Sequence, residues 1–301
     1  MPRNRDVKTR LTAAARDFGL SIPRTLQFDS TNSSSQDIPD DFSYPVIIKP
    51  IYAHQPRAFG IPIGQDLTKA HVAHSRDEAL SHVGLLTHKG LSVFLQEFIV
   101  GDIDRLVICA GYLATDDKHT AAFTARKRLQ FPHAAGIGRV VETIDDPRLA
   151  QTTLGFLRSV GYHGIFEAEY KLDPNGVAQL IEINARHWDQ HLLGLACGVD
   201  VSTLAIEDLM QHGRPAAAYR FRHAIWYDDP FWFRLALGRD PHWRALNREI
   251  SKIFPKPLRI NSVFSLRDPL PAVYGYSKLA LGSLNGVVQR WGLRASRGPV
   301  T

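Results

Sequence analysis

Residues 164–191, GIFEAEYKLDPNGVAQLIEINARHWDQH, constrain this chain more than any other stretch. Two short apolar runs flank a DPNG turn, the pattern of a β-hairpin. Side chains alternate along a strand, so Glu167 and Glu169 share one face, as do Glu182 and Asn184. An even-length turn makes those two faces the same face. Pairing about the DPNG turn sets Glu167 opposite Glu182, whereas a loop longer by two residues sets Glu169 there instead. Carboxylates opposed across a ladder repel. A hard cation between them removes that cost, and oxygen ligands with one amide suit Mg2+. The plainer alternative is a half-exposed hairpin whose acids are solvated.

Composition bounds the rest. A chain of 301 residues with 44% hydrophobic content can bury one large core or two smaller ones. Two cysteines, Cys109 and Cys197, argue against a disulfide framework and lead to the expectation of a reducing, cytoplasmic setting. There is no run of eighteen apolar residues and no secretory h-region among the charged first residues. The net charge of +6 suits anionic substrates. Basic residues gather at Arg3 to Arg10, at Arg126 to Arg128 and from Arg290 onward. No aromatic–basic RNA motif or helix-turn-helix signal accompanies them, so a nucleic-acid partner is not expected. A Gly-x-Ser-x-Gly elbow is absent, and the glycine density falls short of a Walker A loop.

A first helix is expected over residues 5–18, stopped by Gly19 and Pro23. Residues 29–41, rich in Ser, Asn and Asp, read as a surface loop. YPVIIKP (44–50) is an apolar strand ending in Lys49 and Pro50, and a helix is expected from Ser75. YAHQPRAFGIPIG (52–64) is the candidate mobile loop between them. Residues 106–128 read as a hairpin turning at 115–119, and residues 147–160 and 201–212 as helices. The segment 219–301 is aromatic-rich, with Trp226, Tyr227, Phe231, Trp232, Phe233 and Trp243. Such density packs core or covers a neighbouring domain. Residues 272–293 carry helical periodicity at Leu279, Leu284, Val287, Val288 and Trp291. Their basic end suits either a packed terminal helix or a membrane-surface or partner helix. His71 and His74 read as lid surface rather than a zinc pair, and His187 and His191 as loop histidines or a proton shuttle.

The spacing Glu-x(12)-Glu-x-Asn-x-Arg at Glu169, Glu182, Asn184 and Arg186 resembles the metal site of the ATP-grasp superfamily. The resemblance covers about residues 6–211 and implies an α+β, ATP-grasp fold, two α+β halves clasping ATP, followed by a C-terminal extension. It selects Glu169 over Glu167 and implies Glu169, Glu182 and Asn184 as ligands of Mg2+ (or Mn2+). Ala185 stands where the family usually has proline and moves no ligand. Lys49 and Lys69 are the implied phosphate-binding lysines. VFLQEFIVGDID (93–104) resembles the adenine hinge, implying Gln96, Glu97, Phe98, Ile99 and Val100 for the base, with Asp102 or Asp104 for the ribose. The implied division is a linker helix at 1–28, a lid at 29–100, a metal-binding half at 101–215 and the extension at 216–301.

FTARKRLQFPHAAGIGRVVET (123–143) and NSVFSLRDPLP (261–271) resemble segments of a group of ATP-grasp proteins described as carboxylate–amine ligases. That resemblance makes Arg126, Lys127 and Arg128 candidates for phosphate or acid-substrate contact. Arg128 and Arg186 are the ones expected at the reacting groups. It implies an ATP- and Mg2+-dependent ligase joining a small carboxylic acid to an amine or thiol. The alternatives are an ATP-binding module without ligase activity and a small-molecule kinase. In such enzymes an α/β domain precedes the first helix. The sequence begins at that helix, so the expectation is weak or uncoupled activity unless a dimer mate, a partner protein or the aromatic segment 226–243 supplies the missing wall.

Overall fold

The computed structural model describes residues 13–30, 38–51, 70–116, 119–131, 136–210, 219–238 and 258–281. Of the first helix, residues 13–17 are described and helical. Lys69, the 52–64 loop and Trp243 lie outside the described residues.

The first sheet joins β1 (Thr25–Phe28), β2 (Val46–Pro50), β3 (His71–Ala73) and β4 (Val93–Glu97) in the order β1-β4-β2-β3, all antiparallel. Helix α1 (Arg76–His88) starts where Ser75 accepts a hydrogen bond from the Glu78 amide, and Asp77 and Glu78 complement the dipole of its first turn. It packs Ala79 and Val83 on one face of the sheet, over Val46, Ile48, Val93 and Leu95. Alternation along β2 and β4 turns Lys49, Phe94 and Gln96 to the other face.

The second sheet has seven strands in the order β11-β10-β7-β6-β5-β8-β9. These are β5 (Leu106–Leu113), β6 (Ala121–Phe131), β7 (Ile137–Ile144), β8 (Gly164–Leu172), β9 (Ala178–Asn184), β10 (Ala224–Tyr227) and β11 (Leu258–Asn261). On one face lies α2 (Pro147–Ser159), opened by Asp146 as N-cap with Pro147 in the first turn. Its Leu149, Phe156 and Leu157 meet Val107, Cys109, Phe166, Ala168 and Tyr170, with Ala15 and Leu20 closing the margin. The Tyr170 hydroxyl, drawn into this core, is satisfied by Thr153 at 2.8 Å. Fully burying a side chain such as Phe156 contributes about 1.5–3 kcal/mol. Leu180 of β9 donates its amide to the Ser21 carbonyl at 2.8 Å.

The opposite face is divided. Under the short helical turn at His191–Cys197 and α3 (Val201–Leu209) it is apolar: Ala110, Tyr112, Ala121 and Phe123 pack with Trp188, Leu193 and Leu204. Towards the other end of the same strands its residues are charged.

The C-terminal extension belongs to this sheet. β10 pairs antiparallel with β7, and β11 pairs parallel with β10. Trp226 is buried within β10, and α4 (Asp229–Gly238) carries Phe231 onto Phe131 at the tip of β6. Asp229 ties residues 262–276 to this helix: Ser262 Oγ, the amides of Val263 and Phe264, and the Tyr276 hydroxyl all donate to its carboxylate.

Candidate active site

The charged end of the divided face is built by β6, β5, β8 and β9. On β8, Glu167, Glu169 and Lys171 follow at every second residue and point one way. On β9, Glu182 lies directly opposite Glu169, and Asn184 opposite Glu167. The loop between the strands has five residues, 173–177, not an even number. Next to the turn, Leu172 pairs with Ala178 and Tyr170 with Leu180. Continued straight, that register would turn Glu182 away from the face of Glu169. A bulge at Glu169/Tyr170 takes up Ile181 and restores a common face for the acids. Asp173 sets the loop by accepting the amides of Asn175 and Val177, each at 2.9 Å.

A cation already sits among these acids. Lys127 Nζ donates to Glu169 Oε2 at 2.7 Å, with side chains only 6% and 17% exposed. Burial alone would pull the Lys127 pKa down. The charge and hydrogen bond of Glu169, helped by the charges of Glu167 and Glu182, outweigh it and hold the ammonium above its ordinary value. Glu167 is 3% exposed. Burial and the neighbouring Glu169 push its carboxyl well above the ordinary range, against the opposing pull of Lys127 and of Asn184, which donates to it at 3.0 Å. Arg186, exposed, reaches back to Asn184 Oδ1 at 3.4 Å and to the His187 carbonyl at 2.9 Å.

Of the basic triplet on β6, Lys127 meets the acids. Arg128 pairs instead with Glu142 of β7 at 3.6 Å, and Arg126 buries an Nε that has no hydrogen-bond partner among the described residues. The phase follows from pairing: Ala125 lies beside Ile108, which lies beside Glu169, so Lys127 falls on the acid face. Nothing within the string ARKR itself sets that phase.

The residues expected to form the hinge lie at the end of β4 and in the segment that follows it. Gln96 donates to Thr25 at 3.0 Å, Glu97 accepts from the Ser43 amide at 3.3 Å, and the Phe98 amide donates to the Pro45 carbonyl at 2.9 Å. Ile99 is half-buried, and Val100 and Asp104 are exposed. Gly101 turns the chain with φ 142°, a conformation L side chains rarely adopt. A residue that sequence reasoning missed holds this turn. Lys171 Nζ donates to the Gly101 and Asp102 carbonyls at 2.8 and 2.9 Å. It stands two residues beyond Glu169, so alternation was the available signal.

The histidines are engaged elsewhere: His187 with Ser202 at 3.0 Å, His191 with the Trp188 carbonyl at 2.8 Å, and His71 with Glu78 at 3.4 Å. Among the described residues, no group of three or more His, Cys, Asp or Glu side chains is arranged to hold a metal. The Glu169–Glu182–Asn184 set has two such acids and an amide. A cavity of about 370 Å3 lies away from the acids, lined among others by Phe123, Asp146, Gln151, Arg158 and Tyr219.

No protein-family model matches the sequence, and no curated protein matches it. Solved structures do. A biotin carboxylase from Campylobacter jejuni, in complex with β,γ-ATP, superposes with TM-score 0.53 at 16% identity over 72% of this chain. An N5-carboxyaminoimidazole synthase from Aspergillus clavatus, with ADP and 5-aminoimidazole ribonucleotide, superposes with TM-score 0.53 at 12% identity, also over 72%. This chain spans 49% of the first protein and 55% of the second. The fold is the ATP-grasp fold, as the motif order implied.

Proposed function

We propose that the chain binds ATP and uses it to join a small carboxylic acid to an amine or thiol. A carboxylate is a poor electrophile, and taking the γ-phosphoryl group makes it an acyl phosphate. The amine then displaces phosphate and forms the amide. The observation that carries the reading is the opposition of Glu169 and Glu182 on one face, with Asn184 on the same strand and Arg186 two residues past its end. Their donor set, two carboxylates and an amide oxygen, fits Mg2+ or Mn2+. In the metal-free protein Lys127 satisfies Glu169 at 2.7 Å, so Mg2+ bound there would share that acid with the ammonium. Bound there, Mg2+ would supply Lewis-acid polarisation of phosphate oxygens.

The chain's own side chains do the rest. Lys49, on the lid face away from α1, suits the phosphates, and Lys69 is proposed beside it. Gln96 to Val100 would receive adenine, and Asp104 the ribose. Arg186 would neutralise charge on the transferred phosphoryl group, with Arg128 available once released from Glu142. The superposition on proteins solved with ADP or a β,γ-ATP ligand supports ATP use.

The test is ADP release from the purified chain with Mg2+, ATP and pools of acids and amines. The reading expects ADP, phosphate and an amide only when both substrates are present. Glu182→Gln is expected to abolish that turnover while the urea midpoint stays near wild type, since removing one of several crowded acids costs little. A stable phosphorylated product would mean a kinase. ATP binding without turnover under every pairing would mean a binding module. Either result overturns the reading.

A further inference from the structure

Residues 270–281 form a helix with two unlike sides. One side is docked. Ala272 is 1% exposed, Tyr276 reaches Asp229, and the Tyr276 ring stacks on Phe233 with centroids 4.7 Å apart. The other side is apolar and open: Leu270 is 73% exposed, Val273 61%, Tyr274 62% and Leu281 60%. At 3.6 residues per turn these four fall within about 100° of arc, turned away from Ala272. Leu266, just before the helix, is 89% exposed and extends the patch. Lys278 lies over the Tyr274 ring at 4.7 Å, and Arg267 precedes the helix.

Charge says what the open side faces. Residues 251–301 contain eight lysines and arginines, at 252, 256, 259, 267, 278, 290, 294 and 297, against one acid, Asp268. That is a balance of +7 in a chain of net +6, so the other 250 residues are close to neutral together. The segment with the exposed apolar stripe therefore holds the whole basic excess. A second copy would bring two such segments together and repel. Nucleic acid would meet the charge and leave Leu270, Val273 and Leu281 without a partner. An anionic bilayer satisfies both halves: acyl chains take the apolar side chains, and acidic headgroups take Arg267 and Lys278, the cations described at the helix.

We infer that the 270–281 helix seats the chain on an anionic lipid surface, with Leu270, Val273, Tyr274 and Leu281 entering the headgroup–acyl boundary. Asp229 holds the helix from behind through Tyr276, so the stripe is presented outward.

The full chain is sedimented with vesicles of phosphatidylcholine alone and of phosphatidylcholine mixed with phosphatidylserine. The expected result is binding to the mixed vesicles only, weakening as salt rises from about 0.1 to about 0.5 M. Leu270→Ser is expected to weaken partitioning about tenfold with an unchanged urea midpoint, because the side chain is already in water. Leu266→Ser, outside the helix, should act in the same direction and serves if the first variant unfolds. Absence of binding to the mixed vesicles overturns the inference, as does equal binding to both compositions or equal binding by the variants. A wild-type dimer that Leu270→Ser dissolves assigns the stripe to a second copy and overturns it too.

Discussion

Lys127 and Glu169 set the electrostatics of the hairpin face. Three glutamates converge there, one of them in direct contact with a buried ammonium, and burial, with the charge of Glu169 second, raises the Glu167 pKa. Removing one member of a buried ion pair strands the other. Lys127→Met is therefore expected to lower the stability of the metal-free protein by about 3–5 kcal/mol, measured by urea unfolding. Mg2+ is expected to restore part of the loss, because a divalent cation replaces the missing charge. A loss of the same size with and without Mg2+ would separate the acids from cation binding. At this scale the sequence carried the acids well. A period of two put Glu169 with Glu167 and Glu182 with Asn184, and these pairs do share a face. It did not carry the choice among Arg126, Lys127 and Arg128. That choice depends on how β6 is phased against β5, a contact between residues about twenty positions apart.

The helices and strands were read from local signals, and those signals act locally. Ser75 and Asp146 cap helices where a cap was needed, and the apolar runs at 44–50 and 106–113 became strands. The even-length turn did not hold: the loop has five residues, and the bulge at Ile181 compensates. A bulge has no short-range signature, since it answers a mismatch between two ends of one ladder. The extension was illegible for a related reason. Its strands are four residues each: β10 finds its place by pairing with β7, some eighty positions earlier, and β11 by pairing with β10. Asp229 then fixes residues 262–276. Burial works against its charge, and hydrogen bonds from Tyr276, Ser262, Val263 and Phe264 outweigh that and leave its pKa below the ordinary aspartate value. A depressed carboxylate contributes stability that is present above its unfolded pKa and lost as pH falls through the folded one. The segment is thus expected to loosen only at acid pH, below about 4. Asp229→Asn should loosen it at neutral pH. Hydrogen exchange at the Val263 and Phe264 amides reads both, and unchanged protection in the variant would assign the docking to packing alone.

Across the whole molecule, two sheets meet at a segment pinned by Lys171, and the superposed proteins share that architecture over 72% of this chain. If ATP binds between lid and hairpin, its free energy adds to that of folding. At a hundredfold excess over Kd the addition is about 2.7 kcal/mol. A thermal shift with ATP and Mg2+ together is expected to exceed that with ATP alone, and Lys49→Ala should shrink it. Equal shifts with and without Mg2+ would remove the metal from nucleotide binding. The hydrogen bond from Leu180 to Ser21 has a consequence of its own. β9 ends the sheet, and an outermost strand offers unpaired backbone groups as a template for another chain. The segment around Ser21 occupies that template, and Ala15 and Leu20 anchor it in the core. Deleting residues 1–22 is therefore expected to increase self-association through β9, with more concentration-dependent light scattering and added β signal in the infrared than the full chain gives. The hairpin that bears the acids would be the first part of the fold to be drawn into aggregates.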